Sequence, residues 1–349
     1  MTMDLTDAKT LDSLDMAGVT ARFYEQVADA ERVAAGIGGL PDHDSIDNVV
    51  VLGMGGSGVA GDVLAAAGGP FIPVPVVVSK GYAPPGFVGP GTLCFAISFS
   101  GNTEETVEAA QAAAAAGAHM VVIAGGGALA ELAPTWQAPL VPVPNDIPQP
   151  RAALGALTVP LFVLLEQVGL FPGAAGWIDS AVAQLLARGQ QFMGPNDPTA
   201  AVARTIGRTI PLIMGAGPLG AAAALRWKTQ VNENPKAPAF AFAIPEMCHN
   251  EICGWGQHGD MTRQVFTLVE LRHDDEHPQE TRRFELMRDI LAEVVHEVVE
   301  VRAAGDGPLA QLFDLTYFGD MVSLHMAFQE GIDPGPVPVL EDLKRALAS

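Results

Sequence analysis

The chain has 349 residues, with 40 Asp and Glu against 19 Lys and Arg for a formal net charge of −21. That acidity excludes a surface built for long nucleic acids or anionic membranes, although backbone N–H groups with a few local cations still suit a small anion. Hydrophobic residues at 49%, with 38 Gly and 27 Pro, describe buried strands and small-residue helices joined by turns, not a disordered chain.

The acidic start, MTMDLTDAKTLDSLDMAG, lacks the basic and apolar regions of a signal peptide, and no apolar run is long enough for a membrane helix. Cys94, Cys248 and Cys253 match no disulfide framework. Their odd number favours a reducing compartment, and the sequence reads as a soluble, cytoplasmic protein. Cys248 and Cys253 flank His249, but a structural zinc site uses a tighter paired spacing, so no metal and no cofactor is expected.

Along the chain, residues 8 to 36 carry helical spacing. IDNVVVLGMGGSG then reads as a buried strand entering a glycine-rich turn, with GVAGDVLAAAG as the helix behind it. PVPVVVSKGY, TLCFAISFSGN, HMVVIAGGG and APLVPVP are further strand candidates, and TEETVEAAQAAAAAGA is a helix with acidic residues at its dipole-favoured start. RAALGALTVPLFVLLEQVGL is an apolar helix in which Pro160 predicts a kink or break. A helical segment at 177–192, set between FPGAAGW and FMGPNDP, reads as a linker.

RTIPLIMGAGPLGAAAALRWKTQVNE repeats the strand, glycine turn and helix about 160 residues after the first. QVFTLVELR and EVVEVRA are later strands, separated by the helix TRRFELMRDILAEVVHE. LFDLTYFGDMVSLHMAFQEG and a short last helix close the chain. The alternation predicts an α/β protein of two doubly wound parallel-sheet domains, residues 1–170 and 171–349, with the C-terminal helical segment returning to the active site.

GMGGSG shares only its glycines with a dinucleotide fingerprint, which wants an acidic residue at the end of the next strand; that strand ends in Ser79 and Lys80. SFSGNTEET is the second loop of interest. Ser98 and Ser100 share one strand face and Thr103 stands at a helix start, so three hydroxyls with free backbone N–H groups can surround a phosphate. The alternative is that Thr103 only caps its helix and the serines satisfy turn groups.

GMGGSG followed by SxSGNTxET resembles the sugar isomerase (SIS) domain. NENPKAPAFAFAIPEMCHNEICGW and DPGPVPVLEDLK resemble the bifunctional phosphoglucose/phosphomannose isomerase family, so the likeness runs from about residue 20 to 349. It implies tandem SIS domains and a hexose 6-phosphate substrate. It also implies a homodimer with shared active sites, the His arriving from the neighbouring subunit. Gly56, Ser57, Ser98, Ser100 and Thr103 match the family's phosphate loops. Arg151 matches its active-site arginine and Glu233 its base, while His249 and Lys344 match the proton donors of ring opening.

The residue types suit aldose–ketose isomerisation of glucose 6-phosphate, with mannose 6-phosphate as a second substrate, through a metal-independent enediol. A carboxylate exchanges the proton between C1 and C2, a guanidinium faces the developing oxyanion, and an imidazole titrates near neutral pH. Each has a plainer alternative: Glu233 paired with Lys236, His249 as a turn histidine, Lys344 as a solvated helix residue. Glu246, Glu251 and Asn250 are rivals or orienting partners around His249.

The family carries Thr, linked to the C2 epimer, where this chain has Gly335. The chain is also longer than compact members, through segments at 171–198 and 300–312. A non-catalytic phosphosugar sensor and an NAD-linked enzyme are the competing functions.

Overall fold

A computed structural model describes residues 11–347. Met1–Thr10, which includes much of the acidic leader and the start of the helix expected from residue 8, and the last two residues of the chain lie outside the described residues. The chain divides into two compact units, one of Arg22–Ala187 with Ala304–Asp314, the other of Met1–Ala21, Arg188–Ala303 and Leu315–Ser349. Each contains one parallel sheet.

In the first unit, helix α1 (Phe23–Ala35) precedes strand β1 (Asn48–Leu52), helix α2 (Gly55–Val63), strand β2 (Val76–Ser79) and strand β3 (Thr92–Ser98). Helix α3 (Glu104–Ala115), strands β4 (His119–Ala124) and β5 (Leu140–Pro142) and helix α4 (Leu154–Val168) follow. The sheet order is β2-β1-β3-β4-β5, all parallel. β3 is buried at every position, as its unbroken apolar run requires of a strand covered on both faces. Ala109, Ala110 and Ala113 of α3 pack on Val50, Cys94, Ala96 and Val122, and these small side chains bring helix and sheet close together. Burial pushes the Cys94 thiol up to about 12, which makes it an inert core residue.

Of the kink or break expected at Pro160, the break does not occur: α4 runs through it. Its side chains are buried along nearly the whole length, and that burial outweighs the roughly 3 kcal/mol cost of an interior proline. The helical segment expected at 177–192 is a 19-residue helix, α5 (Ala174–Phe192), and the boundary between the two units at Ala187 and Arg188 falls within it.

The second unit holds helix α6 (Pro198–Ile206), strand β6 (Ile210–Ala216), helix α7 (Gly217–Glu233), strand β7 (Phe240–Ile244), strand β8 (Phe266–Arg272), helix α8 (Pro278–Leu291) and strand β9 (Glu297–Arg302). The order β7-β6-β8-β9 is again wholly parallel. Helix α9 (Pro308–Gln329) and helix α10 (Pro338–Leu347) end the chain. Leu212, Met214, Leu268, Phe284 and Met287 form the core of this sheet.

Two polar devices fix the second unit. Asp197 caps α6, accepting from Thr199 N (2.8 Å) and Thr199 Oγ1 (2.6 Å), while its other oxygen meets His325 Nε2 at 2.7 Å. Burial raises the Asp197 carboxyl, but the bonds from His325 and Thr199 outweigh that and hold it below its ordinary value. Glu270, wholly buried on β8, pairs with Arg288, which reaches Glu300 at 2.6 Å. Burial lifts Glu270 above the usual carboxylate range despite Arg288 and Arg272.

Candidate active site

The order β2-β1-β3 places the topological switch point of the first sheet between β1 and β3, where open α/β sheets bind ligands beyond the strand C-termini. The two loops singled out in the sequence leave from those strands. At Gly56 the backbone of another segment comes close: a Cβ there would lie 3.0 Å from the Pro150 carbonyl oxygen and 3.3 Å from Arg151 N, tighter than most side-chain contacts. This close approach sets the Arg151 turn (Pro150–Ala152) against the start of α2. The Arg151 side chain is buried, and its Nη1 donates to Gln149 Oε1 at 3.4 Å.

Ser57 Oγ accepts from Phe99 N at 3.1 Å, tying the first loop to the second. Within the second, Ser98 and Thr103 share a hydroxyl–hydroxyl bond of 2.8 Å, Ser98 Oγ accepts from Thr103 N (3.4 Å), and Ser100 Oγ accepts from Asn102 N (3.2 Å). Gly101, at φ 72, closes the turn so tightly that a Cβ would sit 1.7 Å from the Gly126 carbonyl oxygen. Thr103 is the N-cap residue of α3 yet makes no side-chain cap; its hydroxyl turns to Ser98 instead. That leaves the first-turn N–H groups of a twelve-residue helix beside three hydroxyls, the donors a phosphate takes. Lys80, at the end of β2 where a dinucleotide site would carry an acid, is ion-paired with Asp62 of α2.

The corresponding edge of the second unit differs in chemistry. The turn from β6 into α7 passes through Gly217 at φ 57, and a Cβ there would lie 3.6 Å from a Glu280 carboxylate oxygen. In the loop after β8, Glu276 binds Arg272 through both oxygens (2.8 and 2.7 Å), Glu280 accepts from His277 N (3.0 Å), and His273 Nε2 meets Ala216 O at 2.9 Å. Carboxylates stand where the first unit presents hydroxyls.

The second unit carries the other predicted residues. Glu233 is the last residue of α7; the loop behind it is held by Asn232 Nδ2 on Ala237 O (3.0 Å) and by buried Asn234, whose Nδ2 donates to Ser323 Oγ (2.9 Å). His249 is exposed, ending a short 3₁₀ turn (Glu246–His249) just past β7 and the cis peptide Ile244–Pro245. Asn250 bonds to Glu246 Oε1 (2.9 Å) and accepts from Glu251 N (2.6 Å), so all three rivals around His249 share one local network. Lys344 is exposed on α10.

The structure therefore gathers Gly56, Ser57, Ser98, Ser100, Thr103 and Arg151 at one sheet edge. It does not gather Glu233 with His249. A crossover helix runs back along its sheet, so Glu233 lies at the start of β7 and His249 beyond its end, separated by about 13 Å of strand plus the flanking turns. Lys236 was legible only as a pairing partner of Glu233. Its Nζ in fact donates to three backbone carbonyls, two of them near residue 333, a distant partnership that no local pattern signals.

A hydroxyl-lined switch-point cradle in one of two doubly wound units defines a protein of the SIS class. Residues 45–134 match the SIS domain, and residues 196–347 match the bacterial phospho-glucose isomerase C-terminal SIS domain. The C-terminal domain of glucosamine-fructose-6-phosphate aminotransferase from Francisella tularensis shares the fold, with a TM-score of 0.67 at 14% identity over 92% of this chain and 97% of that one. A bifunctional phosphoglucose/phosphomannose isomerase from Caldicellulosiruptor bescii is 34% identical over 93% of this chain and 96% of its own length. One from Thermoplasma volcanium is 33% identical over 86% and 92%. The chain belongs to the bifunctional phosphoglucose/phosphomannose isomerase family.

Proposed function

We propose that the protein interconverts glucose 6-phosphate and fructose 6-phosphate, and takes mannose 6-phosphate as a second aldose. The phosphate is held by Ser57, Ser98, Ser100 and Thr103, with the N–H groups at Gly56 and the start of α3. The observation that carries this reading is the Ser98–Thr103 hydroxyl pair, which leaves the helix start uncapped beside Ser57.

In the forward direction the Glu233 carboxylate removes the C2 proton of the open aldose. The electron pair becomes the C1=C2 bond of an enediol, and O1 gains a proton. The Arg151 guanidinium stabilises the enediolate oxygen, returning the proton to C1 yields the ketose, and O2 loses its proton as its carbonyl forms. His249 and Lys344 shuttle the proton between ring oxygen and O1 during ring opening. The separation of Glu233 from His249 along β7 supports a His249 contributed by a second copy of the chain in a homodimer. Proton transfer alone suffices for this scheme, without a metal ion.

The test is conversion of each hexose 6-phosphate by EDTA-treated protein in heavy water. Fructose 6-phosphate with deuterium incorporation is the expected product. Ligand-induced stabilisation without turnover or exchange would replace the enzyme with a phosphosugar sensor.

A further inference from the structure

We propose that Lys236 is a positioning residue for the reaction, fixing the helix end that bears Glu233 to the turn that leads into the helix bearing Lys344. The inference rests on the roles given above to those two residues. Lys236 is one of three non-glycine residues with positive φ among those described, at 58°. An L residue with a Cβ pays for that conformation, whereas Gly, and to a lesser degree Asn, adopts it readily. A lysine there calls for a reason in its side chain.

The reason is geometric. The ammonium donates to Glu233 O at 2.8 Å, Asp333 O at 3.0 Å and Pro334 O at 3.3 Å. Glu233 O is one of the last carbonyls of α7, which have no partner within the helix. Asp333 and Pro334 start the turn to α10, and Asp333 Oδ1 stiffens it by accepting from Gly335 N at 2.9 Å. A compact ammonium offers three protons in a tripod that matches three converging carbonyls; a planar guanidinium does not. Residues 97 positions apart are thereby joined through one charge. Lys236 acts through Glu233 and the turn.

The test compares Lys236→Asn, Lys236→Gly and Lys236→Arg with the wild type, each for kcat, KM and thermal midpoint. Asn and Gly suit the backbone, so their midpoints should hold or rise while kcat falls about ten- to a hundredfold, the effect of a displaced catalytic group. KM should stay within about twofold, because the phosphate loops are untouched. Arg, which keeps the charge but not the tripod, should recover part of the lost kcat.

Wild-type kcat in the Asn and Gly variants would overturn the proposal. So would losses of kcat that track losses of midpoint in both, which would make Lys236 merely structural. Glu233→Gln is assayed alongside: if it retains turnover, the assignment of the base has failed, and if it is inactive while Lys236→Asn is normal, only the positioning role has.

Discussion

Glu233 and His249 belong to one unit but stand at opposite ends of β7, the first closing α7 ahead of the strand and the second in the turn beyond it. If one substrate needs both, they come from different copies. Glu233→Gln and His249→Ala homodimers should each be nearly inactive. Mixed, unfolded together and refolded, they should regain up to roughly a quarter of wild-type activity, since half of the dimers then hold one intact site of two. No recovery in a mixture shown to contain heterodimers would place both residues in one chain's site.

Thr103 separates binding from capping. Thr103→Val removes the hydroxyl that meets Ser98 but no existing side-chain cap. Thermal stability should change by less than about 1 kcal/mol, while KM for a hexose 6-phosphate rises about tenfold, as for one lost bond to a charged group. A large fall in stability with unchanged KM would restore the capping role.

Acid should loosen the second unit at α6. The Asp197 carboxyl is held below its ordinary value in the fold, so its stabilisation is present above the unfolded carboxyl range and is lost as pH falls through the depressed folded value. Asp197→Asn keeps a cap for Thr199 but not the charge facing His325. Urea unfolding should show a deficit of about 1 kcal/mol at neutral pH that closes below about pH 4.

Gly335 is packed by the leading segment. A Cβ there would lie 2.8 Å from Leu14 Cγ and 3.0 Å from Leu14 Cβ, so Leu14 fills the space that a larger residue would need. Gly335→Thr alone should cost about 1–3 kcal/mol through overpacking, and Leu14→Ala added to it should recover most of that. The double variant tests the family's link between this hydroxyl and the C2 epimer. The ratio of mannose to glucose 6-phosphate kcat/KM should rise, and an unchanged ratio would remove the turn from substrate choice.

The parallel sheets were legible because β1, β3, β4 and β6 are largely apolar runs feeding glycine-bearing turns, and β8 is rich in β-formers despite Glu270 and Arg272. β7 was not: FAFAI lies between prolines and its alanines carry little hydrophobic signal. The helix at 177–192 was legible, and it begins earlier, at Ala174, because the glycines and prolines around it mark helix ends. The placing of the two hydroxyl-bearing loops at the ends of β1 and β3 was legible because each lies within a few consecutive residues. What the sequence left open was whether the Thr103 side chain caps its helix, which a single rotamer turned to Ser98 answers, and the partners of Lys236, which lie about a hundred residues away.

Glu280, held by the His277 capping box beside Gly217, bears on stoichiometry. A carboxylate at that turn repels an anion, so if the first unit holds the phosphate of the substrate as proposed, the two sheets together offer one berth and not two. Calorimetric titration with a hexose 6-phosphate should saturate at about one ligand per chain. On the proposed reading, the turn of the second unit carries no demand for anion-binding groups, and its surface can bear catalytic side chains instead.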